Sequence, residues 1–163
     1  MEMTLRKALQ LAVATENNGI KFYERLAKRF EDNQDVASIF TRLAKDEIAH
    51  ESEFNKLLDN ITEDKPLDQD PEQYDYLRAT SISEFFRSDI FDKIDQITDP
   101  TDALIMALNF EKSTKMYYEA LALTIGESPE LQELINHEKG HVTALMKVIL
   151  TDAKFRTLAD SWA

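Results

Sequence analysis

The chain has 163 residues, of which 43% are hydrophobic and 31% charged, with 3 glycines, 4 prolines and no cysteine. Its 31 acidic residues against 19 basic ones give a formal net charge of -12, which disfavours nucleic acid and anionic membrane surfaces as partners and attracts cations. Without cysteine the chain can form no disulfide, thiolate metal site or iron–sulfur centre of its own, and its wealth of helix formers predicts one all-α domain over residues 1–163.

Met1 to Thr4 lead directly into an amphipathic pattern without the basic region, apolar run and cleavage site of a signal peptide. No run approaches about 18 apolar residues, so a cytoplasmic protein that does not span a membrane is expected. The first helix is predicted over about 4–30, with apolar residues such as Leu5, Leu9, Ala12, Tyr23 and Leu26 at helical spacing. Glu16 falls on or beside that stripe, where an acid must reach the edge or find a partner. A polar break at Glu31 to Gln34 makes the second helix, about 35–60, an antiparallel neighbour. Its broad apolar face runs through Phe40, Leu43, Phe54 and Leu57 and is interrupted by Glu47 and His50.

Residues 61–99 read as a crossover. Lys65 to Pro71 is a breaker cluster, Glu72 to Ala79 suits a short helix opening at Pro71, Ser81 or Ser83 suits the cap of a helix through Phe85 and Phe86, and Asp89 to Ile97 suits a further helical piece. With Tyr74, Tyr76 and Phe91 as well, the segment is too aromatic for a free linker and is expected to pack on the bundle, close one end, or form a dimer contact. Asp99-Pro100 starts the third helix, which carries Glu111 and stops near Ile125 before Gly126. Ser128-Pro129 starts the fourth, about 129–150, with Glu138 and His141 on its apolar side. Thr151 to Ala163 forms a tail with Phe155, Leu158 and Trp162 at helical spacing, expected to pack on its own bundle or a partner chain.

The four helices repeat as two hairpins. Shifted by 95 positions, Ala8-Leu9, Ala12, Glu16 and Tyr23 fall on Ala103-Leu104, Ala107, Glu111 and Tyr118; shifted by 91, Leu43, Glu47 and His50 fall on Leu134, Glu138 and His141. In each Glu-x-x-His the two side chains leave the helix about 60° apart and can share one ion. Taken singly, each of these residues also suits an ordinary packing role, and an old duplication that has lost its metal would leave the same trace. Together they form the Glu, Glu-x-x-His, Glu, Glu-x-x-His set with which a four-helix bundle holds two metal ions. Glu47 and Glu138 suit bridging positions, His50 and His141 terminal ones, and Glu16 and Glu111 the opposite ends. Mixed oxygen and nitrogen donors suit two iron ions, with manganese or zinc as alternatives, and two adjacent Fe²⁺ ions can deliver two electrons to peroxide or O₂. Tyr23 and Tyr118, seven positions beyond Glu16 and Glu111, lie on about the same faces and suit hydrogen bonding or electron transfer as well as core packing. Asp46 and Asn136 are placed to orient a histidine's other ring nitrogen. Gly19 and Thr114 occupy equivalent positions one turn past the lone glutamates; the glycine marks either close packing near the cluster or an exposed weak point in the helix.

These residues resemble the ferritin-like superfamily, and within it the diiron domain of the rubrerythrin family, over about 4–60 and 100–150. The resemblance implies a ferritin-like four-helix bundle with a helical crossover and tail. It implies a dinuclear iron centre on Glu16, Glu47, His50, Glu111, Glu138 and His141, and reduction of hydrogen peroxide or O₂, or ferroxidase and iron-storage activity. It further implies a homo-oligomer, with a dimer favoured. The chain departs from the family pattern in lacking the cysteine-rich rubredoxin domain, so turnover calls for a separate electron-donor protein. It departs again at Thr114, where the family tends to carry an additional glutamate.

Overall fold

The computed structural model describes residues 4–63, 71–81 and 89–151, and among these it contains six helices. They are α1 (Leu5–Arg29), α2 (Gln34–Asp59), α3 (Pro71–Ser81), α4 (Ile90–Gln96), α5 (Pro100–Ile125) and α6 (Pro129–Thr151). The all-α, ferritin-like expectation holds, and each long helix begins and ends within a residue or so of its predicted bounds. Side-chain caps explain the sharp starts: Thr4 accepts from the Lys7 amide, Asn33 from Val36, Asp99 from Thr101 and Ser128 from Leu131. Each cap satisfies one of the amides that a helix leaves without an internal partner. Gly126 ends α5 at φ +88°, a left-handed value that a side chain disfavours.

Helices α1 and α2 form one hairpin and α5 and α6 the other, and α1 also packs on α5. The third long helix is buried along most of its length, helped by Ala103, Ala107 and Ala120, whose small side chains let neighbours approach. Phe110 stacks on Phe22 at 4.9 Å between ring centroids and meets Tyr23 edge-on at 5.7 Å, joining α5 to α1. Of the crossover, α3 packs on α5 and α4 on α1, with Leu77, Ile90 and Ile94 buried. Arg25 pairs with Asp95 across the α1–α4 seam and lies over the Phe91 ring. The expected packing of the crossover on the bundle is therefore seen for these two helices. Ser81 is the last residue of α3, and the helix it was expected to cap lies outside the described residues. Ser83, Phe85 and Phe86, and the tail residues Phe155, Leu158 and Trp162, lie outside the described residues.

Among the described residues the core falls into two apolar clusters. One contains Phe22, Leu26, Phe40, Leu43, Ala107, Phe110 and Leu145; the other contains Leu9, Phe54, Tyr117, Leu121, Leu131 and Leu134. On every long helix one buried glutamate lies between its contributions to the two clusters: Glu16, Glu47, Glu111 and Glu138. Antiparallel pairing brings these four to one level, so a polar layer crosses the middle of the bundle. Each large apolar side chain buried on either side contributes about 1.5–3 kcal/mol, and that packing sustains a layer which by itself opposes folding.

Candidate metal centre

All four glutamates of the layer are buried to 1% exposure or less, His50 to 3%, and His141 is 13% exposed. Glu16, Glu47, His50 and Glu138 each bring one ligand atom within 4.8 Å of the others, and so do Glu47, Glu111, Glu138 and His141. The two groups share Glu47 and Glu138. Thus the structure brings together all six residues picked out from the repeat and gives the two Glu-x-x-His glutamates the shared position.

The contacts follow the pseudo-twofold. His50 Nδ1 lies 3.1 Å from Glu138, 3.5 Å from Glu47 and 3.7 Å from Glu16, and His141 Nδ1 lies 3.2 Å from Glu111 Oε2. The tyrosines cross between repeats: Tyr118 of α5 donates to Glu16 of α1, and Tyr23 of α1 donates to Glu111 of α5. Each tyrosine takes Oε1 of its glutamate and leaves Oε2 facing a histidine Nδ1. Sequence spacing had put each tyrosine on the face of its own helix's glutamate; the partner turns out to be the glutamate of the other hairpin.

The site's electrostatics are those of an acid cluster in an apolar interior. Burial, and then repulsion from Glu47, hold the Glu16 carboxyl well above the usual range, and burial followed by Glu111 and Glu47 does the same for Glu138. Burial opposes ionisation of Glu111 too, but the His141 hydrogen bond and charge outweigh it, and that carboxyl lies below its ordinary value. The same contact overcomes the burial penalty on His141 and lifts it to about 9. Burial, then the Glu111 charge, pushes the Tyr23 phenol up, so it remains a donor.

Both oxygens of Glu47, both of Glu138, Glu16 Oε2 and His50 Nδ1 are buried without a hydrogen-bond partner among the described residues. Leaving such groups unsatisfied costs about 1–3 kcal/mol each, and more when charged, so this many in one layer calls for a counter-ion. Four carboxylates and two imidazoles, arranged as two groups with two shared members, fit a pair of divalent ions in charge, donor type and number.

Neighbouring residues shape the layer. A Cβ at Gly19 would sit 3.2 Å from Glu47 Cγ and Cδ and 3.3 Å from Phe110, so the glycine is buried and marks close packing on a bridging glutamate. Its counterpart Thr114 is buried and donates to the Phe110 carbonyl. Asp46 approaches His141 Nε2 at 3.3 Å, as the spacing suggested. Asn136 instead accepts from Gln132 within α6. His137 was missed: its exposed ring stacks on His50 at 5.5 Å and 18°, and its place four residues before His141 was the signal available. A cleft of about 650 Å³ runs between α2 and α6, its walls including Leu43, Asp46, His137 and Gly140, and reaches both His50 and His141. Among the described residues no helix is long and apolar enough to cross a membrane.

Comparison with known proteins agrees with this fold. A family model described as rubrerythrin matches residues 7–95. The fold is similar to that of a candidate ferritin-like diiron-carboxylate protein of Thermotoga maritima, with a TM-score of 0.73 and 22% identity over 94% of this chain and 99% of that one. No curated protein matches the chain.

Proposed function

We propose that this chain, which belongs to the rubrerythrin family, is a diiron oxidoreductase that reduces hydrogen peroxide, or O₂, in the layer between its two apolar clusters. The observation that supports this reading best is the pair of overlapping ligand groups sharing Glu47 and Glu138, whose buried oxygens have no hydrogen-bond partner among the described residues. Two iron ions held there would supply the two electrons that, with two protons, convert hydrogen peroxide to two waters. Glu47 and Glu138 would be shared between the two ions, with Glu16 and His50 holding one and Glu111 and His141 the other. Tyr118 and Tyr23 fix Oε1 of Glu16 and Glu111, and so aim each Oε2 into the layer. Asp46 holds His141 by Nε2 and keeps Nδ1 turned inward. The apolar clusters on both sides restrict water, while the α2–α6 cleft gives a small oxidant a way in. With no cysteine among these 163 residues, electrons for turnover come from a donor outside them, such as a separate protein, and the working form is a homo-oligomer, with a dimer favoured.

Anaerobic titration of the metal-free protein with Fe²⁺, then stopped-flow mixing with hydrogen peroxide or O₂, tests the reading. Two ions per chain and much faster oxidation by peroxide are expected. Uptake far beyond two ions driven by O₂ would replace it with iron storage, and failure to bind any iron would leave a structural protein with a vestigial site.

A further inference from the structure

The two ends of the layer differ in ways that the repeat hides. Glu47 and Glu138 are common to both groups, and each terminal glutamate has one oxygen held by a tyrosine, while His50 Nδ1 approaches Glu138 at 3.1 Å without hydrogen-bond alignment. At the first end, Glu16 Oε2 and His50 Nδ1 have no hydrogen-bond partner among the described residues. At the second, Glu111 Oε2 and His141 Nδ1 are engaged with each other at 3.2 Å, and His141 Nε2 with Asp46. The first end is also the more deeply sealed, with His50 at 3% exposure against 13% for His141.

Resting on the metal-centre reading above, we propose that the two positions are unequal: Glu16 and His50 hold a retained ion, whereas Glu111 and His141 hold an exchangeable one that comes and goes through the α2–α6 cleft. An ion at the first end gives two buried atoms a partner and displaces no aligned hydrogen bond, only the unaligned approach of His50 Nδ1 to Glu138 at 3.1 Å. An ion at the second must displace the Glu111–His141 contact. A charge-assisted contact of that kind corresponds to roughly tenfold to a hundredfold in affinity. Asp46 acts in the opposite direction, because a carboxylate on Nε2 makes Nδ1 a better donor. Its side chain is 39% exposed, however, so solvent weakens that influence. Gly140 on the cleft wall has no neighbour within 4 Å of where a Cβ would be, which leaves the approach to His141 open.

The test is release of iron from anaerobically loaded full-length protein into a chromophoric Fe²⁺ chelator, followed in a stopped-flow instrument. Two phases of one ion per chain are expected, with rates at least about tenfold apart. His141→Ala should lose the fast phase and keep the slow ion; His50→Ala should lose the slow phase. Asp46→Ala, a change at a half-exposed position that the fold tolerates, should alter the fast rate alone. Gly140→Leu should still bind two ions and slow the fast phase several-fold. Release of both ions in one phase, loss of the fast phase in His50→Ala, or an Asp46→Ala effect confined to the slow phase would overturn the inference while leaving the diiron reading intact. Absence of any bound iron would overturn both.

Discussion

The crossed tyrosine–glutamate bonds can be tested by a double-mutant cycle. Tyr118→Phe removes only the hydroxyl that Glu16 accepts from; the ring keeps its contacts with Phe54 and Tyr117, so no cavity forms. Glu16 is buried with its second oxygen already unpartnered, and losing Tyr118 leaves the whole carboxyl unsatisfied. The cost should be about 1–3 kcal/mol in the metal-free protein. At a urea dependence of about 1–3 kcal/mol per molar, that moves the unfolding midpoint by roughly 1 M. Combined with Glu16→Ala, the effect of Tyr118→Phe should largely vanish, giving a coupling of similar size. Combined with Glu111→Ala, on the same helix as Tyr118, the two effects should add to within about 0.5 kcal/mol. A larger coupling to Glu111 than to Glu16 would refute the crossed arrangement and restore the pairing suggested by helical spacing.

Stability of the metal-free protein should fall as pH rises from about 5 to 9. Glu16 and Glu138 have raised values in the folded chain, so their contribution is complete below the unfolded 4.5 and is lost as pH climbs through the folded values. His141, raised from 6.5 to about 9, contributes fully below 6.5 and loses its effect through about 9. Glu111, lowered, acts oppositely and loses its contribution only as pH drops through its folded value, below 4.5. Thermal melts in chelator that rise over this range would contradict the assignment. The three glycines should separate by surroundings. Gly140→Ala, with open space, should stabilise by about 0.5–1 kcal/mol. Gly126→Ala, at φ +88°, should destabilise by about 1 kcal/mol. Gly19→Ala, crowding Glu47 and Phe110, should cost about 1–3 kcal/mol from overpacking, less about 1 kcal/mol gained in helix propensity; denaturant titration measures all three. Glu47→Ala should lose both ions, because it belongs to both ligand groups; metal analysis showing one ion retained would rule out a bridging role.

Much of this molecule is legible along the chain because helices report their own faces. Period 3.6 places Glu16, Glu47, Glu111 and Glu138 on buried stripes, the caps and prolines mark where helices start, and the 95- and 91-residue offsets reveal two equivalent hairpins whose polar residues share one level. The residue types then limit what such a layer can bind. Periodicity within one helix does not say which residue of a neighbouring helix stands opposite, since that depends on rotation and offset between helices. Hence the sequence could place Tyr118 near the face of Glu111 but not show that its hydroxyl reaches Glu16. Equivalence under the repeat likewise hid the difference between His50, which finds only unaligned carboxylates, and His141, engaged by Glu111 and Asp46. His137 and the α2–α6 cleft depend on how far two helices that are not consecutive stand apart. The identity of the site is therefore written in local spacing, while the inequality of its two ends is set by long-range packing.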